Sequence, residues 1–326
     1  MPFSIELPCM GRLLSILLLV LSSLLAGVFF GSADLPAAEV WRALLGEGAD
    51  TTLAIVWHLR LPRVAAAFAC GGLLALAGAL FQALLRNPLA DPYILGVSGG
   101  AAVGALSAIL LGLAALAVSV AALFGAMASI ALVFILSRGG RGWDMHRLLL
   151  TGVVLSAGFG ALISLLLAVA PLLETRGMLF WLMGDLGQAQ SPGTSWAVLL
   201  AATLAAFALA PSLDVLALGE TKARSLGVAV TPLQGALFFI ASAATAVAVM
   251  ECGSIGFVGL IVPHALRLAG VAGHRRLLPL SALAGGSFLV LADTLARSVM
   301  APQQLPVGVL TALLGVPAML ILLRKS

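Results

Sequence analysis

The stretch from Pro92 to Ser137 contains no Asp, Glu, Lys or Arg over 46 residues. An α-helix rises about 1.5 Å per residue and the hydrocarbon core of a bilayer is about 30 Å thick, so about 20 residues cross it once. The stretch is therefore too long for one transmembrane helix and suits two, with a turn near Gly112. A water-soluble fold does not leave so much continuous apolar helix without charge. The sequence predicts a polytopic membrane protein.

Long apolar runs recur through the rest of the chain. Hydrophobic residues make up 62% of the 326 residues and charged residues 9%, against about 25% charged in ordinary globular domains. No stretch is polar enough for a separate soluble domain, so residues 1–326 are interpreted as one membrane domain. We predict an all-α fold with about ten transmembrane helices, of which the third and eighth are short or tilted, at 12–32, 63–84, 93–111, 115–137, 147–170, 194–211, 230–250, 256–270, 277–297 and 305–323.

Lysine and arginine are unevenly distributed between the two ends of these spans. With both termini in the cytoplasm, twelve of the seventeen basic residues lie inside and five outside, which is the bias that the positive-inside rule requires. The apolar run after Arg12 is longer than the core of a signal peptide, so an uncleaved first span is expected. We predict a multi-pass protein of the cytoplasmic (inner) membrane, whose five outside residues are Arg42, Arg60, Arg63, Arg176 and Arg297.

Groups that could power transport are scarce within the spans. Ion-coupled carriers place titratable side chains in the pathway, whereas Glu251 and Asp293 lie near predicted span ends. The sequence also lacks the G-x-x-x-x-G-K-[ST] loop that cradles the phosphates of ATP. Energy must therefore come from a partner, or the protein is a passive pore.

Patterns for metal binding or catalysis are missing from the sequence as well. The three cysteines, Cys9, Cys70 and Cys252, are scattered and odd in number, which argues against a disulfide framework or a metal cage and favours packing roles. The four histidines form no H-E-x-x-H pattern, and His264 is interpreted as a hydrogen-bonding residue at a helix end. We expect no metal, no cofactor and no enzymatic activity in this chain.

Several short motifs occur in a fixed order from about residue 55 to the C-terminus. They are R-L-P-R at 60–63, G-A-L-F-Q at 78–82, R-N-P-L-A-D-P at 86–92, L-G-V-S-G-G-A at 95–101, W-L-M-G at 181–184, A-L-G-E at 217–220 with S-L-G at 225–227, G-F-V-G-L-I-V-P-H at 256–264, A-D at 292–293 with A-R at 296–297, and L-P-V-G at 305–308 with G-V-P at 315–317. Each motif alone is weak. Together and in order, they resemble the permease family of ABC importers for ferric siderophores, haem and vitamin B12, often called FecCD.

This resemblance implies a fold, a function and partners. The implied protein is a type II ABC importer permease that works as a homodimer with two copies of an ABC ATPase subunit and a periplasmic or lipid-anchored substrate-binding protein. ATP would be hydrolysed by the separate ATPase subunit, and the cargo would be a bulky metal chelate: a ferric siderophore, haem or cobalamin. The alternative is an ion-coupled secondary transporter, for which Glu251 is the candidate residue.

The segment after the second span has two interpretations. Arg86-Asn87-Pro88 suits a helix end, because proline disfavours helix in the preceding residue and arginine anchors at lipid headgroups. The resemblance instead implies an inner gate formed by Asn87 and Leu89 with the start of the fifth span. This chain has Met145 and His146 there, where the family often has small polar residues, and apolar side chains also close a pathway by excluding water.

The segment from about 212 to 229, between the sixth and seventh spans, predicts a short helix of two turns. Glu220 and Arg224 are spaced for an i,i+4 ion pair, and Gly219 and Gly227 bracket the helix, with Gly227 at a natural C′ position. An ordinary connector is the alternative. The resemblance implies a coupling helix that sits in a cleft of the ATPase subunit, with its contacts among Leu218, Gly219, Glu220, Ala223, Arg224, Leu226 and Gly227.

Three of the outside arginines lie at the mouths of spans. Arg60 and Arg63 are three apart, and Arg297 lies 234 residues after Arg63. Headgroup anchoring is a common role for such residues. The resemblance implies that they receive acidic residues of the substrate-binding protein, for which we expect their charges to lie in water at the rim.

Small residues at 95–101 recur at helical spacing. Such residues let helix backbones approach closely in lipid. We interpret this segment as a packing surface rather than as a pore lining.

Overall fold

Helices make up nearly all of the regular structure. The computed structural model describes residues 9–139, 142–143, 145–187, 189 and 192–324. Within these residues the α-helices are α1 (Cys9–Phe29), α2 (Ala37–Leu44), α3 (Asp50–Ala54), α4 (Leu61–Leu84), α5 (Val97–Leu110), α6 (Ala115–Ser137), α7 (Met145–Val169), α8 (Leu172–Met183), α9 (Gly193–Leu216), α10 (Glu220–Ser225), α11 (Val230–Cys252), α12 (Val258–Leu268), α13 (His274–Ser298) and α14 (Val307–Leu323).

Four short elements complete the described chain. A π-helical segment, Ile55–Arg60, joins α3 to α4, and a 3-10 helix, Pro92–Leu95, precedes α5. Before α7, the two-residue strands β1 (Arg138–Gly139) and β2 (Gly142–Trp143) pair antiparallel. The prediction of an all-α fold is confirmed, since these strands form only a turn between α6 and α7.

Ten apolar helices coincide with the ten predicted spans. In the described part of the chain, six stretches are long and apolar enough to cross a membrane: Asp50–Leu84, Ala115–Ser137, Arg147–Val169, Gly193–Leu216, Val230–Cys252 and His274–Ser298. Four shorter apolar helices match the remaining predictions: Leu13–Phe29, Val97–Leu110, Val258–Leu268 and Val307–Leu322. The third and eighth spans are short, as expected, with 14 residues in α5 and 11 in α12, which is about 21 Å and about 16 Å of helix.

Helix α8 was not predicted. It occupies the segment between the fifth and sixth spans, where Glu174 and Arg176 interrupt the apolar pattern. Leu172 and Leu173 at its start are about nine-tenths exposed in the single chain. A short helix with this exposure has one face available for lipid or for another subunit.

Helix α4 lies at the centre of the bundle. It contacts α9, α11, α12 and α13, and nearly all of its residues from Val64 onward are buried. Glycines make this crowding possible: a Cβ at Gly71 would lie 2.3 Å from the carbonyl oxygen of Gly285, and one at Gly78 only 1.9 Å from that of Gly259. Backbone contact of this kind is how helices pack in lipid.

Helices α5, α6 and α7 form a second packed group. A Cβ at Gly100 would lie 2.4 Å from the carbonyl oxygen of Gly125, and one at Gly104 would lie 2.2 Å from that of Ala121. The small residues at the start of α5 are therefore a packing surface, as predicted. Helix α7 leaves most of its side chains exposed in the single chain.

The break between α11 and α12 lies at the level of the middle of α4. A Cβ at Gly259, in the first turn of α12, would approach the carbonyl oxygen of Leu74 to 2.8 Å. Non-helical backbone at such depth must be hydrogen-bonded within the protein. The hydroxyl of Tyr93 does this, since it accepts from the N–H of Ile255 at 3.0 Å and donates to its carbonyl oxygen at 2.9 Å.

Candidate functional site

Arg63 and Asp293 form the centre of a polar cluster at the start of α4, the end that the sequence predicts to face outward. The guanidinium of Arg63 is bound to both carboxylate oxygens of Asp293, with distances of 2.8 to 3.1 Å. Its Nη1 donates to Oε1 of Gln304 at 2.7 Å. Arg297 lies one turn after Asp293 on α13 and contacts the same carboxylate at 3.3 Å. A single carboxylate therefore joins two guanidinium groups and ties α4 to α13.

Arg60 and Arg297 also bind the carboxyl end of α1. Arg60 donates to the carbonyl oxygens of Val28 at 2.8 Å and Phe29 at 3.0 Å, and Nη2 of Arg297 donates to that of Gly27. The last carbonyls of a helix lack partners within it and carry partial negative charge. The two arginines satisfy these carbonyls, and we define the outer arginine network as Arg60, Arg63, Arg297 and Asp293.

The expectation that these three charges lie in water at the rim is wrong for two of them. Arg60 and Arg297 are each only 4% exposed, and the side chain of Arg63 is 13% exposed. The cause is tertiary: the end of α1 presents bare carbonyls to them, and Asp293, itself 1% exposed, supplies a countercharge. Arg63 is therefore the most accessible of the three arginines.

The predicted short helix between the sixth and seventh spans is present as α10. Gly219 precedes it with φ +107° and Gly227 follows it with φ +83°, so both bracketing glycines adopt conformations that other residues avoid. Ala223 is buried, whereas Leu218 is 59% and Leu226 64% exposed. The segment thus projects two apolar side chains away from the bundle.

The predicted ion pair within this helix is wrong. Glu220 pairs instead with Arg86, whose Nη2 lies 3.2 Å from Oε1 of Glu220, and the same oxygen accepts from Nε2 of Gln234 at 3.1 Å. Arg224 makes no side-chain ion pair or hydrogen bond among the described residues. The partners of Glu220 therefore come from the loop after α4 and from α11 rather than from its own helix.

The candidate gate residues Asn87 and Leu89 both lie at the surface of the single chain. Oδ1 of Asn87 accepts from the N–H of Leu89 at 2.9 Å, which folds the loop into a compact Asx turn. The backbones of Met145 and His146 begin α7, but their side chains lie outside the described part of the structure. The geometry of the whole gate therefore stays a prediction.

A buried polar contact near this loop was not singled out from the sequence. Gln82 in the last turns of α4 donates to the carbonyl oxygens of Gly259 at 3.3 Å and Leu260 at 3.2 Å, and it accepts from Arg267. A lone glutamine in an otherwise apolar helix was the available signal. It fastens the inner end of α4 to α12.

Two smaller expectations concern single residues. Cys70 and Cys252 are buried, which agrees with packing roles. His264 is also buried, and neither ring nitrogen has a hydrogen-bond partner among the described residues, so its interpretation as a hydrogen-bonding helix end is wrong. Among the same residues, no three or more His, Cys, Asp or Glu side chains lie together as they would to hold a metal ion.

A multi-pass helical bundle with interrupted helices and a short projecting helix is typical of membrane transport subunits, and comparisons with known proteins specify the family. The FecCD transport family matches residues 16–325. The chain is 40% identical to the vitamin B12 import system permease BtuC of Salmonella paratyphi A, covering 96% of this chain and 95% of BtuC. It is 39% identical to YvrB of Bacillus subtilis, an uncharacterized ABC transporter permease, over 93% of this chain and 90% of that one. The chain belongs to the FecCD transport family.

Solved structures agree with this assignment. A proposed metal-chelate type ABC transporter in an inward-facing conformation has a TM-score of 0.86 and 31% identity, covering 97% of this chain and 99% of that one. PsaBC from Streptococcus pneumoniae in complex with Fab has a TM-score of 0.59 at 19% identity, covering 87% of this chain and 95% of that one, and shows only that the fold is shared. The fold is that of a type II ABC importer permease.

Proposed function

We propose that this chain is the permease subunit of an ATP-driven importer that carries a bulky metal chelate across the cytoplasmic membrane. The observation that carries the proposal is the family match over residues 16–325, together with near full-length similarity to a vitamin B12 permease. The cargo class comprises cobalamin, haem and ferric siderophores. The chain itself performs no chemistry, and its termini lie in the cytoplasm.

Energy is proposed to enter through α10 from two copies of an ABC ATPase subunit. The support is structural: a short helix held in place by two left-handed glycines presents exposed Leu218 and Leu226 to the outside of the bundle. Exposed apolar side chains beside a polar rim are typical of protein contact sites. The family resemblance assigns this segment to ATPase coupling, and the geometry suits insertion into a cleft.

A second copy of the chain is proposed to complete the pathway. Helix α7 is apolar along its length and largely uncovered in the single chain, and the predicted gate residues Met145 and His146 begin it. Two copies around a two-fold axis would place two α7 helices and two loops carrying Asn87 and Leu89 around one passage.

Docking of a substrate-binding protein is proposed at the outer arginine network. Burial of Arg60 and Arg297 changes how this surface would work, because their guanidinium groups are already bound within the chain. Arg63 is left as the most accessible cation, and Arg60 and Arg297 would act by fixing its position and by adding positive potential. Such charges steer an acidic partner and set its register more than they add affinity.

The ion-coupled alternative has weak support. Its candidate residue, Glu251, lies in the last turn of α11, at the end of a span. The other acid near a span end, Asp293, is bound by Arg63 and Arg297, so its charge is already countered by two cations. A relay residue must instead gain and lose a proton or ion in the pathway. Family membership also does not favour this alternative.

The experiment that tests the cargo is uptake by cells that lack their own importers for these chelates. The cells express this chain with the ABC ATPase and the substrate-binding protein of the source organism and receive labelled cobalamin, haem or ferric siderophores. We expect ATP-dependent accumulation of one chelate class and none in cells without the chain. An assembled complex that accumulates none of the three classes would contradict the proposal.

A further inference from the structure

Arg86 occupies a position at which this chain otherwise uses glycine. Helix α4 ends in a Schellman motif: the N–H of Asn87 bonds to the carbonyl oxygen of Gln82 at 3.1 Å, and that of Arg86 to Ala83 at 3.3 Å. In this motif the residue that donates the second bond adopts a left-handed conformation. That residue is Arg86, which has φ +48°. A side chain there crowds the backbone, at a cost of about 1–2 kcal/mol.

Four other helices in the described residues end with the same pair of bonds. They are α2, α5, α10 and α12. At the end of each, one N–H bonds to the carbonyl oxygen five residues before it, and the N–H of the preceding residue bonds to the carbonyl oxygen three residues before that residue. In all four the left-handed position is glycine: Gly46, Gly112, Gly227 and Gly270. The backbone alone therefore does not explain the arginine at the end of α4.

The side chain of Arg86 reaches a residue 134 positions away. Its Nη2 lies 3.2 Å from Oε1 of Glu220, the first residue of α10, and that oxygen also accepts from buried Gln234 on α11. Glu220 thus joins three segments: the end of α4, the short helix α10 and the first turns of α11.

Stability does not account for this contact. The side chains of Arg86 and Glu220 are 48% and 35% exposed, and exposed ion pairs contribute about 0–1 kcal/mol. That contribution does not exceed the cost of the left-handed arginine. A strained residue whose contacts do not offset its strain points to a role in function.

We infer that the Arg86–Glu220 pair is a mechanical link that transmits displacement of α10 to the loop carrying Asn87 and Leu89. Arg86 immediately precedes Asn87, so a pull on its guanidinium acts on the first residue of that loop. The inference rests on the proposed roles of α10 in ATPase contact and of the loop in the inner gate. Arg86 is a positioning residue in this account, since it touches neither cargo nor ATP.

The first test uses Arg86→Gly in the complex with the ABC ATPase and substrate-binding protein of the source organism, reconstituted in liposomes. Glycine relieves the left-handed strain, so this variant is expected to fold and assemble normally. We expect ATP hydrolysis to continue while transport per ATP falls about fivefold, the factor that corresponds to a link of about 1 kcal/mol. Arg86→Lys keeps the cation and should retain more of the coupling than Arg86→Gly.

Two controls separate the link from a general effect of charge. Arg324→Gly removes another exposed arginine near the inner end of the bundle and should leave transport per ATP unchanged. The charge exchange Arg86→Glu with Glu220→Arg should transport better than either single variant, because it restores opposite charges at the same two positions. Equal transport per ATP in wild type and Arg86→Gly, or no recovery in the exchange, would overturn the inference.

A second measurement needs no ATPase. Spin labels are placed at Leu89 and Leu218, both exposed in the structure, in chains diluted with an excess of unlabelled chains. Each dimer then carries labels in one copy, and the measured distance reports the separation of the two segments within that copy. We expect one narrow distance distribution in the wild type and a broadened one in Arg86→Gly. An unchanged distribution in the variant would overturn the link while leaving the importer proposal intact. A wild-type chain that fails to assemble with the ATPase would instead overturn the proposed function.

Discussion

The outer arginine network and the Arg86–Glu220 pair are both ion pairs between distant segments, yet they differ in burial. The outer network is enclosed, with Asp293 1% and both Arg60 and Arg297 4% exposed. The cytoplasmic pair is open to water, with side chains 48% and 35% exposed. Removal of one partner from a buried pair leaves an uncompensated charge, whereas an exposed pair exchanges readily with water. The difference teaches that α1, α4 and α13 are fastened together at the outer arginine network, while the exposed Arg86–Glu220 contact can break and re-form.

The largest expected effect is on stability and comes from Asp293→Ala. Two guanidinium groups would then share a buried site with no carboxylate, so we expect the free energy of unfolding to fall by about 3–5 kcal/mol. Denaturant titration of the purified permease in detergent micelles measures this change. Asp34→Ala, which removes an exposed outer carboxylate, is the matched control and should change stability by less than about 0.5 kcal/mol. A decrease in the free energy of unfolding below about 1 kcal/mol for Asp293→Ala would show that the network does not hold α1, α4 and α13 together.

A smaller loss is expected for Arg60→Met. Methionine fills much of the same volume but leaves the carbonyls of Val28 and Phe29 without their donor, which should cost about 1.5–3 kcal/mol. Arg42→Met is the control, because Arg42 is exposed. The same titration measures both variants. Equal stability of the two would mean that water replaces Arg60 at the end of α1.

The next effect concerns α10 and is local. Gly227→Val places a β-branched side chain at φ +83°, which should disfavour the closing turn of α10 by about 1–2 kcal/mol. We expect this variant to insert and to bind the substrate-binding protein but to lose co-purification with the ATPase. Gly235→Val is the control, since Gly235 has open space around it and an ordinary backbone. Normal ATPase assembly and stimulated turnover with Gly227→Val would identify α10 as a plain connector.

The smallest expected effect on stability belongs to Arg86→Gly. Loss of an exposed ion pair lowers stability, whereas glycine removes the strain of the left-handed arginine and raises it. Because the two effects oppose each other, the free energy of unfolding should change by no more than about 1 kcal/mol. The same denaturant titration measures it. A loss as large as that of Asp293→Ala would erase the contrast between the two regions.

The spans were predictable from the sequence because the bilayer imposes length and apolarity on them. The turn near Gly112 follows from the same reasoning and is present, with φ +66°. Helix α8 was missed because Glu174 and Arg176 made its segment resemble a loop. A window of hydropathy does not separate a short helix that carries charged residues from a connector.

The contacts of charged side chains were less predictable. The spacing of Glu220 and Arg224 favoured a pair within one helix, but the i,i+4 rule considers no partner outside that helix, and Arg86 is supplied by α4. Burial of Arg60 and Arg297 depends on where the last carbonyls of α1 fall, which only the packing of α1 against α4 and α13 determines. Sequence reasoning found these residues and not their partners.

We propose that this permease takes its energy from an ATPase subunit. The most direct measurement is accumulation of labelled chelate in liposomes that contain the chain alone or the complete complex, under an imposed proton or sodium gradient and with ATP. We predict no accumulation by the chain alone under either gradient, and accumulation by the complex that requires ATP and the substrate-binding protein. Gradient-driven accumulation by the isolated chain would contradict the account.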